Sequence, residues 1–175
     1  SSSMHLGRGA NLLMSTSVFN NGGRSLFYPD FEAPETNRGI AERIDAQRGY
    51  HTFANLPWGG WNVIGSFNAR QIAVPAAGGD SIFNSQGQFS MDSRSFVSSS
   101  YTRSAGGNGQ IRWQTSYDQY RYRDRLDYPL DEDEIMDNRA ESLGDWLRSQ
   151  LIYSRPVASL GTFTAGVQGI VELRN

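Results

Sequence analysis

The chain has 175 residues, of which 38% are hydrophobic, and its mean hydropathy is −0.53. It contains no run of 18 or more apolar residues, so the composition excludes a transmembrane helix. The net charge of −2 provides no basic surface for a nucleic-acid partner, and we expect one domain over residues 1–175.

Seven segments show the period-two alternation of apolar and polar residues that is typical of β-strands. Residues 1–10 precede them, and we expect this stretch to be disordered or to form a truncated strand. The clearest alternation is in the fifth segment, where Trp113 and Tyr117 alternate with Gln114 and Asp118. In chain order, the strands are predicted at 11–18, 50–56, 61–69, 94–103, 111–118, 147–153 and 162–173.

The connections between these strands alternate between short and long. Outer-membrane β-barrels have this arrangement, with short turns on the periplasmic side and long loops outside, whereas a water-soluble meander has no need for it. The pattern therefore predicts an all-β, antiparallel up-and-down meander, about seven strands of a transmembrane β-barrel with three long extracellular loops. Short turns are predicted at 56–60, 103–109 and 154–159, and long polar loops at 20–48, 70–93 and 121–144.

Each predicted strand has one face of aliphatic, aromatic and small residues and one face of polar residues. In a barrel the apolar face contacts lipid, and in a soluble sandwich it forms a core. Periodicity alone does not separate these two structures. The aromatic positions favour the barrel, because Trp58 and Trp61 flank a short turn while Tyr117, Tyr120 and Tyr122 flank a long loop. Aromatic girdles lie at these two heights.

Several motifs lie in or beside the long loops, in a characteristic order and spacing. The first loop contains RSLFYPDF (24–31), PETNRGIAE (34–42) and DAQR (45–48). The second follows FNAR (67–70) and contains IFN (82–84). The third follows YDQY (117–120) and contains DYP (127–129). As a series, these motifs resemble the barrel of TonB-dependent outer-membrane receptors over nearly the whole chain.

The resemblance implies a barrel of about 22 strands in the outer membrane of a Gram-negative bacterium, filled by an N-terminal plug on which TonB pulls. Such receptors typically take up ferric siderophores, haem, cobalamin or glycans. The chain has no plug, no recognisable TonB box and no signal peptide, and its last alternating segment stops at Asn175 in mid-strand. We therefore expect an internal segment of a receptor for a ferric siderophore or another scarce nutrient. Its expected partners are outer-membrane lipid, the plug of the same parent chain, TonB through the missing N-terminal region, and a small-molecule substrate.

Motifs for catalysis and for metal binding are weak. His5 and His51 are isolated, and the sequence has no Cys, no paired His and no G-x-S-x-G motif. The acidic run 131–134 lacks the alternating ligands and central glycine of an EF-hand, and we interpret it as a solvated loop. We expect no enzymatic activity, no cofactor and no metal.

The ligand-binding candidates lie in or beside the long loops. Aromatic rings suit stacking on a haem, a catecholate or a sugar, and neighbouring guanidinium groups suit an anionic ligand. An alternative for each aromatic residue is that it packs the loops together. For the arginines at 121, 123 and 125, we favour pairing with the acidic run over binding a carboxylate siderophore or a lipopolysaccharide phosphate. The candidates are Tyr28, Phe31, Arg70, Phe83, Tyr120, Arg121, Tyr122, Arg123 and Tyr128.

Two other functions remain open from the sequence. One is a soluble β-sandwich or lipocalin-like module that binds a carbohydrate or another small ligand. The other is an adhesin-like or structural barrel without a transport role. Dependence on detergent separates the receptor from the soluble module, and a plug domain upstream in the full reading frame separates it from the structural barrel.

Overall fold

A computed structural model describes residues 1–7, 9–76, 78–131 and 134–174. Within these residues the fold is all-β, with eight strands in one sheet and two in a separate ribbon. The strands are β1 (Ser2–Gly7), β2 (Ala10–Asn21), β3 (Arg24–Phe27), β4 (Ile40–Ile44), β5 (Gln47–Trp58), β6 (Trp61–Ala73), β7 (Phe89–Ala105), β8 (Gly109–Asp131), β9 (Glu134–Val157) and β10 (Gly161–Arg174).

The large sheet is an antiparallel meander with the strand order β1-β2-β5-β6-β7-β8-β9-β10. The predicted antiparallel up-and-down topology is confirmed. The strand count is corrected from seven to eight, because Ser2–Gly7 forms a strand that pairs with β2, for example through Met4 opposite Leu12. This strand is only six residues long, so its alternation is too brief for the sequence to identify it. In the structure, its antiparallel pairing with β2 holds it in the sheet. In the described residues β1 and β10 each pair with one strand, so the sheet is open at both edges.

Short turns join the strands at one end of the sheet, here called the turn end. The β5–β6 turn consists of Gly59 and Gly60, whose φ angles of 53° and 88° suit the type I′ hairpin turn that glycine favours. Residues 106–108 join β7 to β8, and 158–160 join β9 to β10. The three predicted short turns are therefore confirmed, but they are shorter than predicted, and the third begins at 158 because β9 continues to Val157.

Two long connections lie at the opposite end, here called the cap end. Residues 22–46 contain the β3–β4 ribbon and two short 3-10 turns, and residues 74–88 contain another 3-10 turn. Together, 22–46 and 74–88 form what we call the cap. No helix in the described residues is long and apolar enough to cross a membrane.

The prediction of a third long loop at 121–144 is wrong. β8 and β9 continue through this region as a paired ladder that reaches Asp131 opposite Glu134, and they are 23 and 24 residues long. High polarity indicated a loop, but the residues of β8 still alternate with period two and pair with β9 along the whole extension, with exposed cross-strand ion pairs beside the ladder. We call this extension, 121–144, the outer hairpin.

The hydrophobic core lies in the cap and not in the sheet. Of the five buried hydrophobic residues in the described part of the chain, only Ala69 belongs to the eight-stranded sheet. Ala41, Ile44 and Phe83 form a buried cluster between the two cap segments. The sheet therefore has no apolar core of its own.

Candidate functional site

The strand register places the apolar residues of neighbouring strands on one continuous face. Directly opposed residues share a face of a sheet, and one such row crosses seven strands through Met14, Ala54, Gly65, Val97, Tyr117, Leu147 and Val171. We call this the apolar face. A row on the other side, the polar face, runs through Asn62, Ser100, Gln114, Gln150 and Gln168. The predicted division into two faces is confirmed.

Burial on the two faces is the reverse of that in a water-soluble sheet. On the apolar face Val18 is 77% exposed, and Val97, in β7 between two paired strands, is 55% exposed. On the polar face Ser100 is 8% exposed and Asp118 is 7% exposed. In water, the hydrophobic effect favours the opposite distribution. The apolar face is therefore suited to an apolar medium or an apolar partner.

Aromatic side chains form a row across the turn end of the apolar face. Trp58 is opposite Trp61, Trp61 is opposite Tyr101, and Tyr101 is opposite Trp113. The ring centroid of Trp61 lies 4.8 Å from the ring centroid of Tyr101 and 6.1 Å from that of Trp113. Tyr and Trp are enriched where a bilayer meets water. The segment 61–69, between this row and the cap end, has the length of about 9–11 residues that a membrane-spanning strand requires.

The polar face carries a hydrogen-bond network across β7, β8 and β9. Gln150 Nε2 donates to Gln114 Oε1 at 3.0 Å, and Gln114 Nε2 donates to Ser98 Oγ at 3.0 Å. Nearer the cap end, the Arg94 guanidinium donates to Asp118 at 3.3 Å. This surface offers donors and acceptors to a hydrophilic solute or to a polar protein surface.

Three of the predicted ligand-binding residues pack against each other inside the cap. The rings of Phe31 and Phe83 are stacked with centroids 4.3 Å apart, and Tyr28 contacts Phe83 edge-on at 5.7 Å. Phe83 is only 8% exposed. These contacts agree with the alternative interpretation, in which the aromatic residues pack the loops together. A ligand-binding role for them stays a prediction.

Residues 74–88 dock onto the outer hairpin through Asp127. The Asp127 carboxylate accepts a hydrogen bond from Ser85 Oγ, and the Asp127 N–H donates to Gln88 Oε1 at 3.3 Å. The Ile82 N–H donates to the Asp127 carbonyl at 2.7 Å, and Gln88 Nε2 donates to the Ile82 carbonyl at 2.7 Å. Asp127 is 6% exposed and Gln88 is 2% exposed. This cluster fixes the cap relative to the sheet. Asp127 and Ile82 belong to the DYP and IFN motifs, but the motifs did not predict that these residues bind each other.

The predicted tyrosines and arginines of the outer hairpin lie on opposite faces. Tyr120 and Tyr122 extend from the polar face, where Tyr120 donates to Asp92 and Tyr122 accepts from Ser90 Oγ at 3.0 Å. Arg121 and Arg123 continue the apolar face, because successive strand residues point to opposite sides. The structure therefore does not bring these rings and guanidinium groups together around one planar ligand.

The other two candidates, Arg70 and Tyr128, lie apart from each other. Arg70 Nε donates to Gln47 Oε1 at 3.0 Å on the polar face, near the cap. Tyr128 is partly buried in the outer hairpin, opposite Met136.

Two of the three hairpin arginines, Arg121 and Arg125, pair with acidic residues of the same hairpin, as the favoured interpretation expected, and the Arg125 partner Asp137 lies close to the acidic run. Arg121 contacts Glu141 at 2.7 Å and Arg125 contacts Asp137 at 3.1 Å, both in β9. The predicted pairing with the acidic run itself involves residues 132 and 133, which lie outside the described residues, and it stays a prediction. In the part of the chain that the structure describes, no group of three or more His, Cys, Asp or Glu residues could hold a metal ion.

An amide-lined cleft of about 250 Å³ lies where the cap meets the sheet. Sequence reasoning did not identify it. The feature of the sequence that could have indicated this cleft is the group of Asn and Gln residues at the strand ends beside the two long connections. Amide and guanidinium groups of this kind hydrogen-bond to hydroxyl and carboxylate groups of a solute. Its polar lining includes Asn20, Asn21, Gln47, Arg48, Gln71, Gln86 and Gln88.

The ion pairs of the outer hairpin predict a pH dependence. A hydrogen bond from Arg139 holds the pKa of Asp137 below its ordinary value of 3.8, and Arg125 adds to the effect. A carboxyl whose pKa is lowered by folding stabilises the fold above its unfolded pKa, and this stabilisation is lost as the pH falls through the folded pKa. We expect amide-exchange protection at 134–140 to be steady from pH 7 to 5 and to fall below about pH 4. Hydrogen exchange corrected for intrinsic rates measures this, and the same fall in Asp137→Asn would contradict it.

Two surfaces can therefore contact a solute, namely the polar face and the amide-lined cleft. The apolar face also carries polar residues, among them Ser99, Thr115 and Ser149 in one row, and Thr115 and Ser149 hydrogen-bond to each other. No protein-family model, curated protein or solved structure matches the chain, so its functional interpretation rests on its own sequence and geometry.

Proposed function

We propose that the chain is a wall segment of an outer-membrane β-barrel of the TonB-dependent receptor class, serving uptake of a ferric siderophore or another scarce nutrient. The observation that carries this proposal is the reversed burial of the two faces. An apolar face with Val18 77% exposed and Val97 55% exposed is stable when lipid covers it. The polar face then lines the lumen.

The two ends of the sheet support the same orientation. Short turns lie at one end, beside the row of Trp58, Trp61, Tyr101 and Trp113, as on the periplasmic side of a barrel. The cap and the outer hairpin lie at the other end and extend beyond the membrane-spanning length of the strands. This end faces the exterior, where it meets the nutrient first.

The open edges of the sheet support a larger barrel wall. An unpaired edge presents free backbone N–H and C=O groups, which cannot be left without partners in lipid. Every residue of β10 is exposed. In the proposed receptor, further strands of the parent chain pair with β1 and β10 and close the barrel.

The segment contributes to uptake through binding and guidance. The cap and outer hairpin capture the nutrient, and the hydrogen-bonding groups of Ser98, Gln114 and Gln150 guide it along the lumen and contact the plug of the parent chain. TonB supplies energy through the plug. No covalent bond forms or breaks in this segment.

Fractionation of the full-length parent protein tests this function. We expect the protein in the outer-membrane fraction, resistant to carbonate extraction, with a plug domain encoded upstream in the same reading frame. Recovery as a soluble protein without detergent would support the ligand-binding sandwich instead. A membrane protein whose reading frame lacks a plug would support the structural barrel.

Ligand capture on the polar side of the outer hairpin is a separate prediction. In the full-length receptor, replacing Tyr120 and Tyr122 with Ala is expected to weaken nutrient binding by about fivefold per lost aromatic contact. Binding of labelled ferric catecholate and of haemin to whole cells, normalised to surface-exposed protein, measures this. Arg121→Gln, on the opposite face of the same hairpin, is the matched control and should leave binding unchanged. Unchanged affinity in the tyrosine double variant would move capture to the cap or the plug.

A further inference from the structure

A row of aromatic rings crosses the polar face between the hydrogen-bond network of Gln114 and the outer hairpin. Directly opposed residues share a face of the sheet, and Asp118 lies on the same side as Gln114 because side chains alternate along β8. We call the row through Asp118 the ring row. It alternates between rings and polar groups, in the order Phe53, Ser66, Phe96, Asp118, Trp146 and Glu172.

The rings of the ring row do not stack on one another. Phe53, Phe96 and Trp146 lie on alternate strands, about 9.6 Å apart, whereas stacked rings have centroids about 4.5–7 Å apart. In the described residues none of them has another aromatic ring as a partner. All three are only partly buried. The ring row therefore presents separate aromatic surfaces, at regular intervals, to a molecule beside the polar face.

The polar groups between the rings are held in place by Arg94. Its guanidinium donates to Asp118 at 3.3 Å and lies 5.9 Å from the ring centroid of Trp146. Asp118 also accepts a hydrogen bond from Ser116 Oγ at 3.1 Å. A sugar unit uses both kinds of group. Its C–H face packs on an aromatic ring, and its hydroxyls bond to carboxylate, amide and hydroxyl groups.

The charge of the polar face favours a neutral ligand. An anionic ligand such as a ferric catecholate meets no net positive charge on this face, because each arginine is matched by a carboxylate. A neutral, hydroxyl-rich ligand needs none. On the paired strands of this face the arginines are Arg70, Arg94, Arg112 and Arg148, and the carboxylates are Asp92, Asp118, Asp124 and Glu172.

We propose that the ring row binds a linear, neutral oligosaccharide, and that this is the nutrient which the receptor takes up. This rests on the proposed function, in which the polar face lines the lumen. The interval between neighbouring rings, about 9.6 Å, is roughly the length of two sugar units. Every second unit of the chain therefore packs on a ring, and the units between bond to Ser66 and Asp118. Towards the turn end the sugar chain next meets Gln114 and Gln150.

Dependence on chain length tests this proposal. The parent protein, purified in dodecyl maltoside, is titrated in a calorimeter with glucose oligomers of two and of six units, in series with α-1,4, β-1,4 and β-1,3 linkages. In at least one series we expect the six-unit oligomer to bind roughly 25-fold more tightly than the two-unit oligomer, because it reaches two further rings at about fivefold each. A site for a single sugar unit gives no such gain with length.

Variants locate the site. Phe96→Leu removes the central ring but keeps an apolar side chain, and it should weaken binding of the six-unit oligomer by about fivefold. Phe67→Leu is the matched control, because Phe67 lies in the neighbouring strand on the apolar face, opposite Ser95. This control should leave binding unchanged. The thermal unfolding midpoint of each variant is measured in the same detergent.

The outcomes separate this proposal from the proposed function. Equal affinity for both lengths in all three series would overturn the oligosaccharide site while leaving an outer-membrane receptor in place. Equal weakening by Phe96→Leu and Phe67→Leu would also overturn it. A Phe96→Leu variant that unfolds at a lower temperature but binds normally would show that the ring row packs against the plug instead. A protein that stays monodisperse without detergent would overturn the membrane barrel and this site with it.

Discussion

Val167→Arg is expected to destabilise the membrane-embedded protein by about 2–4 kcal/mol, whereas Gln168→Arg is expected to be nearly neutral. Val167 lies on the apolar face, 70% exposed and opposite Leu151, so a guanidinium there enters hydrocarbon. Gln168 lies opposite Gln150 on the polar face, where a guanidinium meets water and hydrogen-bonding groups. Denaturant unfolding of the parent protein in lipid vesicles measures both free energies.

Leu160→Arg serves as the control for this pair. Leu160 is a hydrophobic residue in the β9–β10 turn and is 87% exposed. Because the turn lies outside the hydrocarbon region, adding a charge there should cost less than about 1 kcal/mol. Equal sensitivity at Val167 and Gln168 would instead indicate a water-soluble sheet with two equivalent faces.

Phe83→Ala is expected to destabilise the cap by about 3–5 kcal/mol, the range for truncating a buried phenylalanine. Phe83 is the ring that Phe31 stacks on and Tyr28 contacts edge-on, so its removal separates the two cap segments. The sheet should be unaffected, since its ladders do not depend on this cluster. Hydrogen exchange should speed up at 22–46 and 74–88 and stay slow at 110–118.

Phe83→Leu is the conservative comparison for the cap. It keeps an apolar side chain at the site and should cost less than the alanine variant. Loss of protection that spreads into 110–118 in Phe83→Ala would show that the cap and the sheet unfold as one unit. Unchanged protection at 22–46 would show that Phe83 does not hold the two segments together.

The sheet could be predicted because the pattern that identifies each strand lies within that strand's own residues. Alternation with period two identifies a strand and its two faces without any knowledge of the neighbouring strands. Once the short turns are placed, the pairing register of the strands they join is fixed. This register aligns the aromatic residues from Trp58 to Trp113 in one row. The same local rule misjudged 121–144, where charged and aromatic residues resembled a loop although they still alternated.

The cap could not be predicted because its contacts are distant in sequence. Phe31 stacks on Phe83, and Asp127 binds Ser85, across intervals that no periodic pattern links. The amide-lined cleft depends on the same docking, because residues from both cap segments line it. The separation of Tyr120 from Arg121, by contrast, follows from strand alternation as soon as this region is recognised as a strand.

Spin-label accessibility along β10 tests most directly whether the apolar face contacts lipid. The chain has no cysteine, so single cysteines at 163–171 can be labelled in the vesicle-embedded parent protein once any cysteine elsewhere in the parent is replaced with serine. We expect labels at Phe163, Ala165, Val167 and Val171 to collide mainly with oxygen, which concentrates in hydrocarbon. Labels at Thr164 and Gln168 should collide mainly with a water-soluble nickel complex. If the nickel complex reaches both sets equally, or if the labels show no period of two, the apolar face does not contact lipid and the barrel account is contradicted.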